Sequence, residues 1–264
     1  MFSIVFGLMN YRIGLKLWST NTGAYFQEAQ RLYRHGIYDY IELYVVPNTL
    51  ETLPLWQQLE IPYIIHNPHS VQGFNLADKT KREINRTIYE QSRQFADALK
   101  AKYIIFHGGK EGSIEETATQ LSAFQEPRAL IENLPVYPLL HSPFKRCRGA
   151  TLEELRFIKD ATHCDFCLDF GHAVCSANAQ NKEPFAFLQE LMSLKPQMFH
   201  LSDLADVHSC YDSHSHLGTG TLDISILKRK ILPPDATISI ETEKGLSKSL
   251  QDFADDVVYF RQLP

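Results

Sequence analysis

The chain has 264 residues, of which 44% are hydrophobic and 22% charged, a composition typical of a globular protein with one large core. Its formal net charge of −5 argues against a protein that grips nucleic acid through a global excess of positive charge. The five cysteines are an odd number and do not suggest a disulfide framework, so a reducing cytoplasmic compartment is expected. No stretch approaches the roughly 18 uninterrupted apolar residues of a membrane span, so no membrane partner is expected.

Short apolar runs alternate with longer amphipathic runs along the chain, which predicts repeated βα units with a parallel sheet. The predicted strands cover residues 12–18, 40–46, 63–66, 103–107, 129–133, 166–170, 198–201 and 237–241. The predicted helices cover residues 24–34, 79–100, 113–124, 152–161, 184–194, 224–230 and 250–262. Pro54 predicts a distorted helical turn within residues 50–59, and Asp78 is a candidate N-cap for the helix that begins at 79.

Eight units in alternation predict a (β/α)8 TIM barrel, which commonly needs about 250 residues as one unit. We therefore expect a single domain over residues 1–264, with residues 1–10 as an N-terminal extension. The alternative is a doubly wound open sheet, but no glycine-rich phosphate loop follows the first predicted strand.

Histidines and carboxylates gather at the ends of the predicted strands, which face the active site in a barrel. In chain order these side chains are Glu42, His66, His69, His107, Glu132, Asp169, His172, His200, Asp203, Asp212, His214, His216 and Glu241. Burying so many ionisable groups at one barrel mouth would be costly without compensating charge. A bound divalent metal supplies that charge, and mixed imidazole and carboxylate ligands favour Zn²⁺, with Mn²⁺ or Fe²⁺ as alternatives.

The strand-end motifs resemble those of the endonuclease IV family, AP endonuclease family 2, within the xylose isomerase-like TIM barrel superfamily. The resembling segments are Pro68-His69, Phe106-His107-Gly-Gly, Ile131-Glu132-Asn133, Leu168-Asp169-Phe-Gly-His172, Phe199-His200-Leu-Ser-Asp203, Asp212-Ser-His214 and Glu241-Thr242. The resemblance extends over nearly the whole chain. It implies two or three zinc ions and nine metal ligands: His69, His107, Glu132, Asp169, His172, His200, Asp212, His214 and Glu241.

Two features by which that family reaches into the DNA minor groove are missing from this chain. Residues 41–47 supply no arginine after the second strand, and residues 70–72 supply no aromatic side chain after His69. Basic clusters at residues 79–82, 145–148 and 228–230 are interpreted as solvated surface rather than as DNA contacts. Glu42 instead resembles a second-strand glutamate that is common in sugar isomerase and epimerase relatives.

The resemblance implies a metal-dependent phosphoester hydrolase that cuts abasic DNA or a related phosphoester, with Glu132 and Glu241 as catalytic carboxylates. The alternative is a metal-dependent isomerase or epimerase acting on a small sugar or sugar phosphate. In that case Glu132, Asp169, His200 and Glu241 would hold a single ion. A barrel that only binds a partner is a third hypothesis, and no obligate protein partner is expected.

Asp212 and His214 discriminate between the two enzymatic hypotheses, because a one-metal isomerase has no evident use for this pair. Other strand-end groups are expected to contact the substrate or to hydrogen-bond metal-bound side chains and so orient them. These are Glu42, His66, Asp203 and His216.

Overall fold

A computed structural model describes residues 10–139, 141–244 and 249–264. Its strands β1 to β8 are Arg12–Trp18, Tyr40–Tyr44, Tyr63–His66, Ile104–His107, Ala129–Glu132, Asp165–Asp169, Met198–Leu201 and Thr237–Ile240. All neighbours pair in parallel, and β8 pairs with β1, so the sheet closes into a barrel. The predicted (β/α)8 barrel is therefore confirmed. The predicted N-terminal extension lies, except for its last residue, outside the described residues.

Helices surround this barrel. Within the described residues, α1 to α9 are Ala24–Arg34, Leu53–Trp56, Arg82–Ala98, Ile114–Phe124, Leu152–Thr162, Phe170–Ala179, Pro184–Met192, Ile224–Lys230 and Gln251–Gln262. None of them is long and apolar enough to cross a membrane. The larger hydrophobic core packs the strands against the helices and contains Trp56, Phe95 and Phe253.

Most predicted elements shift only at their ends. The helix predicted from residue 79 begins as a 3₁₀ turn, Lys79–Lys81, which Asp78 caps by accepting from the Thr80 backbone N–H at 2.9 Å. Around Pro54 the chain forms a short 3₁₀ turn followed by the four residues of α2, so the predicted distortion is present. Strands β2, β5 and β8 end one or two residues earlier than predicted, and β4 begins one residue later.

Helix α6 has no counterpart among the predicted helices, and the prediction of strand through Phe170 was wrong. Eight of its ten residues are buried, so no polar face marks a helical period in the sequence. Asp169 begins the helix as its N-cap, because one carboxylate oxygen accepts the His172 backbone N–H at 2.7 Å. This cap places His172 one helical turn beyond the end of β6.

The interior of the barrel contains a separate apolar layer. Its buried members are Tyr40, Ile64, Ile105, Leu130, Cys167 and Met198. Gly14 completes the layer on β1, where a Cβ atom would lie 2.3 Å from the Tyr40 ring. The close approach of that ring explains why a residue without a side chain occupies this position.

Candidate metal centre

A second inward layer of eight polar side chains lies directly beyond the apolar layer. Seven of them follow a residue of the first layer by two positions, and Glu241 follows Ser239 of β8 in the same way. Side chains two apart on a strand point the same way. The eight are Lys16, Glu42, His66, His107, Glu132, Asp169, His200 and Glu241. The barrel therefore brings one polar side chain from each strand, or from the residue after it, to a common mouth.

Three groups of these and nearby side chains could each hold a metal ion, since the ligand atoms within a group lie within 4.8 Å of one another. In the first group, Glu132 Oε2 lies 3.1 Å from His107 Nε2 and 3.2 Å from His66 Nε2. His69, a predicted ligand, lies outside the three groups; its ring stacks on His107 with centroids 5.2 Å apart. His66, which was predicted to contact the substrate or to orient metal-bound side chains, joins the first group instead.

The second group joins the last four strands of the barrel. His200 Nδ1 lies 2.9 Å from Glu241 Oε2, 3.3 Å from Glu132 Oε1 and 3.9 Å from Asp169 Oδ2. Glu132 belongs to both groups, because its Oε2 faces the first and its Oε1 faces the second. Its carboxylate would therefore offer one oxygen to each group.

The third group consists of His172 from α6 and two residues of the loop after β7. Asp212 Oδ2 lies 3.3 Å from His172 Nε2 and 3.0 Å from His214 Nε2. His214 adopts a left-handed backbone conformation with φ of 43°, which a side chain with a Cβ rarely takes up. Such local strain is common where a loop must present a functional group.

Hydrogen bonds fix the orientation of four histidine rings. In each ring the outer nitrogen, the one that points away from the metal group, lies close to an oxygen atom. The four pairs are His66 Nδ1 and Asn67 O (2.9 Å), His172 Nδ1 and Asn133 O (3.0 Å), His200 Nε2 and Glu42 Oε2 (2.9 Å), and His214 Nδ1 and Glu241 O (3.1 Å). Carbonyl and carboxylate oxygens only accept, so each outer nitrogen donates its hydrogen. The inner nitrogen of a neutral ring then directs a lone pair at a carboxylate 2.9 to 3.3 Å away. Two acceptors face each other at this distance only with a proton or a cation between them.

Unpartnered atoms identify the same place. Of the ten buried side-chain nitrogen or oxygen atoms without a hydrogen-bond partner in the described residues, five belong to the three groups. They are Glu132 Oε1, Asp169 Oδ2, His200 Nδ1, Asp212 Oδ2 and Glu241 Oε2. Buried polar atoms are rarely left unpaired, and these five converge on common points. The donor set of imidazoles and carboxylates therefore fits divalent metal ions.

The pKa values of two histidines show that protons and metal cations compete for the same ring nitrogens. Burial alone would lower the pKa of His172 and of His200. The facing acidic groups, first Asp169 for His172 and Cys167 followed by Glu42 for His200, raise both pKa values well above 6.5. These raised pKa values favour protonation of both rings when no metal is bound. A bound cation would replace their inner protons.

Glu42 lies below the groups rather than in them. Its Oε2 accepts from His200 Nε2 and from the Ser239 hydroxyl, and its Oε1 lies 3.3 Å from Lys16 Nζ. Lys16 also donates to Glu241 Oε1, leaving Oε2 of that carboxylate for the second group. Lys16 is 8% exposed and was missed by the sequence analysis. Its signal was a charge in the middle of an apolar run, since the other charged residue of β1, Arg12, is the first residue of the strand and is exposed.

Two other predicted residues lie apart from the groups. Asp203 accepts hydrogen bonds from the backbone N–H groups of Gly218 and Gly220, at 2.9 and 3.0 Å. These bonds stabilise the loop after β7. His216 Nδ1 pairs with Asp256 at 2.8 Å. These contacts shape the loop that carries the third group.

Comparison with known proteins agrees with the barrel fold. No curated protein matches the chain significantly. Endonuclease IV from Thermus thermophilus is similar in structure, with a TM-score of 0.68, 20% identity and coverage of 95% of this chain and 99% of that one. A D-tagatose 3-epimerase-like protein has a TM-score of 0.66, 18% identity and coverage of 95% and 96%. A sugar phosphate isomerase/epimerase from Parabacteroides distasonis has a TM-score of 0.57, 11% identity and coverage of 95% and 94%.

A family model matches residues 30–262, and the chain belongs to the family of xylose isomerase-like TIM barrels.

Proposed function

We propose that this protein is a metal-dependent phosphoester hydrolase with a centre of three ions. The observation that carries the proposal is the third group, in which His172, Asp212 and His214 converge beside two other groups. The second group alone has enough ligands for a one-ion isomerase. A one-ion enzyme would leave the third group without a use, whereas three adjacent charges suit the negative charge of a phosphoester.

The roles of the side chains follow from their contacts. Glu132 would bridge the first and second groups. Glu241 would offer Oε2 to the second group while Lys16 holds its Oε1. Glu42 keeps the His200 ring turned so that Nδ1 points inward. Divalent ions held here, Zn²⁺ by the donor set and otherwise Mn²⁺ or Fe²⁺, would acidify bound water and neutralise a leaving alkoxide.

One cation of each basic cluster is engaged with a partner inside the protein, which favours a small phosphoester over abasic DNA as the substrate. Arg82 forms a two-pronged ion pair with Glu116, and Arg148 lies 3.2 Å from Glu154. Lys228 donates to backbone carbonyls at the end of α9, including Phe260 O at 2.9 Å. Cations committed to such partners offer little to a phosphate backbone.

A sugar or sugar-phosphate isomerase is the second candidate. The observation that favours it is the second group, whose four ligands Glu132, Asp169, His200 and Glu241 form a complete one-ion site. In that reaction paired carboxylates would move a proton between neighbouring carbons of the sugar.

Metal content separates the two candidates. Protein purified without chelator is analysed for zinc, manganese and iron, and bis(4-nitrophenyl) phosphate, an abasic duplex and a ketose phosphate are assayed as substrates. The double variant Asp212→Ala/His214→Ala should lose about one equivalent of metal and most phosphodiesterase activity while keeping its fold. Glu241→Gln is the control that impairs either chemistry. One tightly bound ion in both the wild type and the double variant, with turnover of the ketose, would refute the hydrolase.

A further inference from the structure

Two cavities of different character reach the metal groups. They share His69 and His214 in their walls, and otherwise their linings differ. One has a volume of about 400 Å³ and the other about 150 Å³. Since each group of ligands borders at least one cavity, a substrate reacting at the centre would extend into both.

The larger one, the Trp18 cavity, is lined by Trp18, Tyr44, Lys16 and Lys244 together with the two shared histidines. Trp18 is 48% exposed, and its ring lies 5.2 Å from that of Tyr44 at an angle of 33°. Lys244 is half-buried and donates to the Thr242 carbonyl at 2.8 Å. Glu241 and Glu243 also line this cavity. An exposed indole beside polar side chains of both charges suits a flat ring or a sugar face that carries polar substituents.

The smaller one, the Leu139 cavity, is lined by Val71, Leu134, Tyr137 and Leu139 and borders the third metal group. Val71 is 71% exposed and Leu139 is 61% exposed, although both are apolar. Tyr211 extends this surface, because its ring lies 6.1 Å from that of Tyr137. Apolar side chains gathered at a polar mouth mark a binding surface.

Exposed apolar side chains are concentrated at this mouth. Among the described residues, nine large hydrophobic side chains are exposed; four of them line the two cavities, and a fifth, Tyr211, lies beside them. The remaining four lie elsewhere on the surface. The concentration at the metal centre points to substrate binding rather than to general surface composition.

We propose, building on the hydrolase proposed above, that the substrate is a small phosphodiester with two unlike arms. A ring-bearing polar arm stacks on Trp18, an apolar arm fills the Leu139 cavity, and the phosphate lies between them beside His69 and His214. A nucleic-acid strand would place a charged sugar-phosphate chain on both sides of the scissile bond. The apolar side of the Leu139 cavity, formed by Val71, Leu134 and Leu139, would then contact that charge, at a desolvation cost.

Two chromogenic esters test this assignment on the zinc-loaded protein. Thymidine 5′-(4-nitrophenyl phosphate) carries both arms, whereas methyl 4-nitrophenyl phosphate carries the apolar arm alone. We expect Trp18→Ala to raise KM about tenfold for the thymidine ester and to leave KM for the methyl ester unchanged. Leu139→Asp should raise KM about tenfold for both esters. Val258→Asp, at an exposed apolar position of α9, is the matched control and should change neither.

Equal effects of Trp18→Ala on both esters, or no effect of Leu139→Asp, would overturn the two-arm assignment even if hydrolysis is normal. Binding is also read without turnover by quenching of tryptophan fluorescence with thymidine 5′-monophosphate. Of the two tryptophans, Trp56 is fully buried, so quenching should come from Trp18 and should vanish in Trp18→Phe. Saturable quenching without any ester hydrolysis would sink the hydrolase and support the ring site, and absence of both would sink this inference.

Discussion

Two layers of side chains point into the same barrel, but they differ in the interactions that they make. In the apolar layer, buried side chains pack against one another; they are Tyr40, Ile64, Ile105, Leu130, Cys167 and Met198. The polar layer begins two residues later on each strand, roughly 6 to 7 Å further along the axis of the strand. There, carboxylates and imidazoles lie close together with unpartnered atoms, which costs stability until a cation binds. One layer holds the barrel together, and the other uses that rigidity to hold charges in place.

Hydrogen bonds connect the two layers. The Tyr40 hydroxyl lies 2.9 Å from the Ser239 hydroxyl, which donates to Glu42, and Glu42 in turn accepts from His200. The apolar layer thus supplies a fixed base on which a metal ligand is oriented. The difference between the two layers predicts that changes in the polar layer affect metal binding and chemistry, and that changes in the apolar layer affect stability.

The largest effect is expected at Glu132, which belongs to two metal groups. Glu132→Ala should lower phosphodiesterase activity by roughly a thousandfold, because an electrostatic contact at the reacting centre is lost. Metal analysis of the purified variant should show fewer ions per chain. Glu51→Ala, at an exposed position, is the control and should retain both. A full complement of metal in the Glu132 variant would contradict the bridging role.

Leu130 tests the apolar layer on the same strand, two residues before Glu132. Leu130→Ala should lower the free energy of unfolding by about 3 kcal/mol, because it leaves a cavity in a fully buried site. Urea unfolding measures the loss. The folded variant should bind the wild-type number of ions, and loss of metal without loss of stability would show that the layers do not divide their roles.

A smaller effect is expected at Glu42, which orients His200 without belonging to a metal group. Glu42→Gln should weaken metal binding by about 10- to 100-fold, the usual result of disturbing a group that orients a ligand. Competition with a chelator measures the affinity. Glu60→Gln, on the exposed surface, provides the comparison. Unchanged affinity would mean that His200 is oriented by packing alone.

The smallest effect is a pH dependence that only the polar layer can produce. The raised pKa values of His172 and His200 contribute stability that is complete below pH 6.5 and is lost as pH rises through those values. Metal-free protein should therefore unfold at lower urea concentration at about pH 9 than at about pH 7, while zinc-loaded protein should change less. Addition of zinc near pH 7 should release about two protons. No proton release would indicate that the rings are neutral before metal binds.

Much of the fold was predictable from local patterns, whereas α6 was not. Strand and helix periods are visible wherever an element has one buried face, as in α3, where Ile88 and Phe95 are buried while Glu83 is exposed. Helix α6 is buried on nearly every side, so its sequence shows no such contrast. Lys16 was missed because its partner Glu241 is 225 residues away, so no local pattern shows that the two side chains meet.

By itself the sequence determined the order of the strands, the order of the helices other than α6, and the polar residues near the strand ends, because these depend on short-range patterns. Only the tertiary structure decided which of those residues meet. Glu42 reaches His200 across 158 residues of chain because the barrel closes β2 and β7 around one interior. His66 rather than His69 joins Glu132, since His66 still follows the inward register of β3, while His69 already caps the 3₁₀ turn beyond it. Strand register fixes side-chain direction, and register across a closed sheet is a property of the whole barrel.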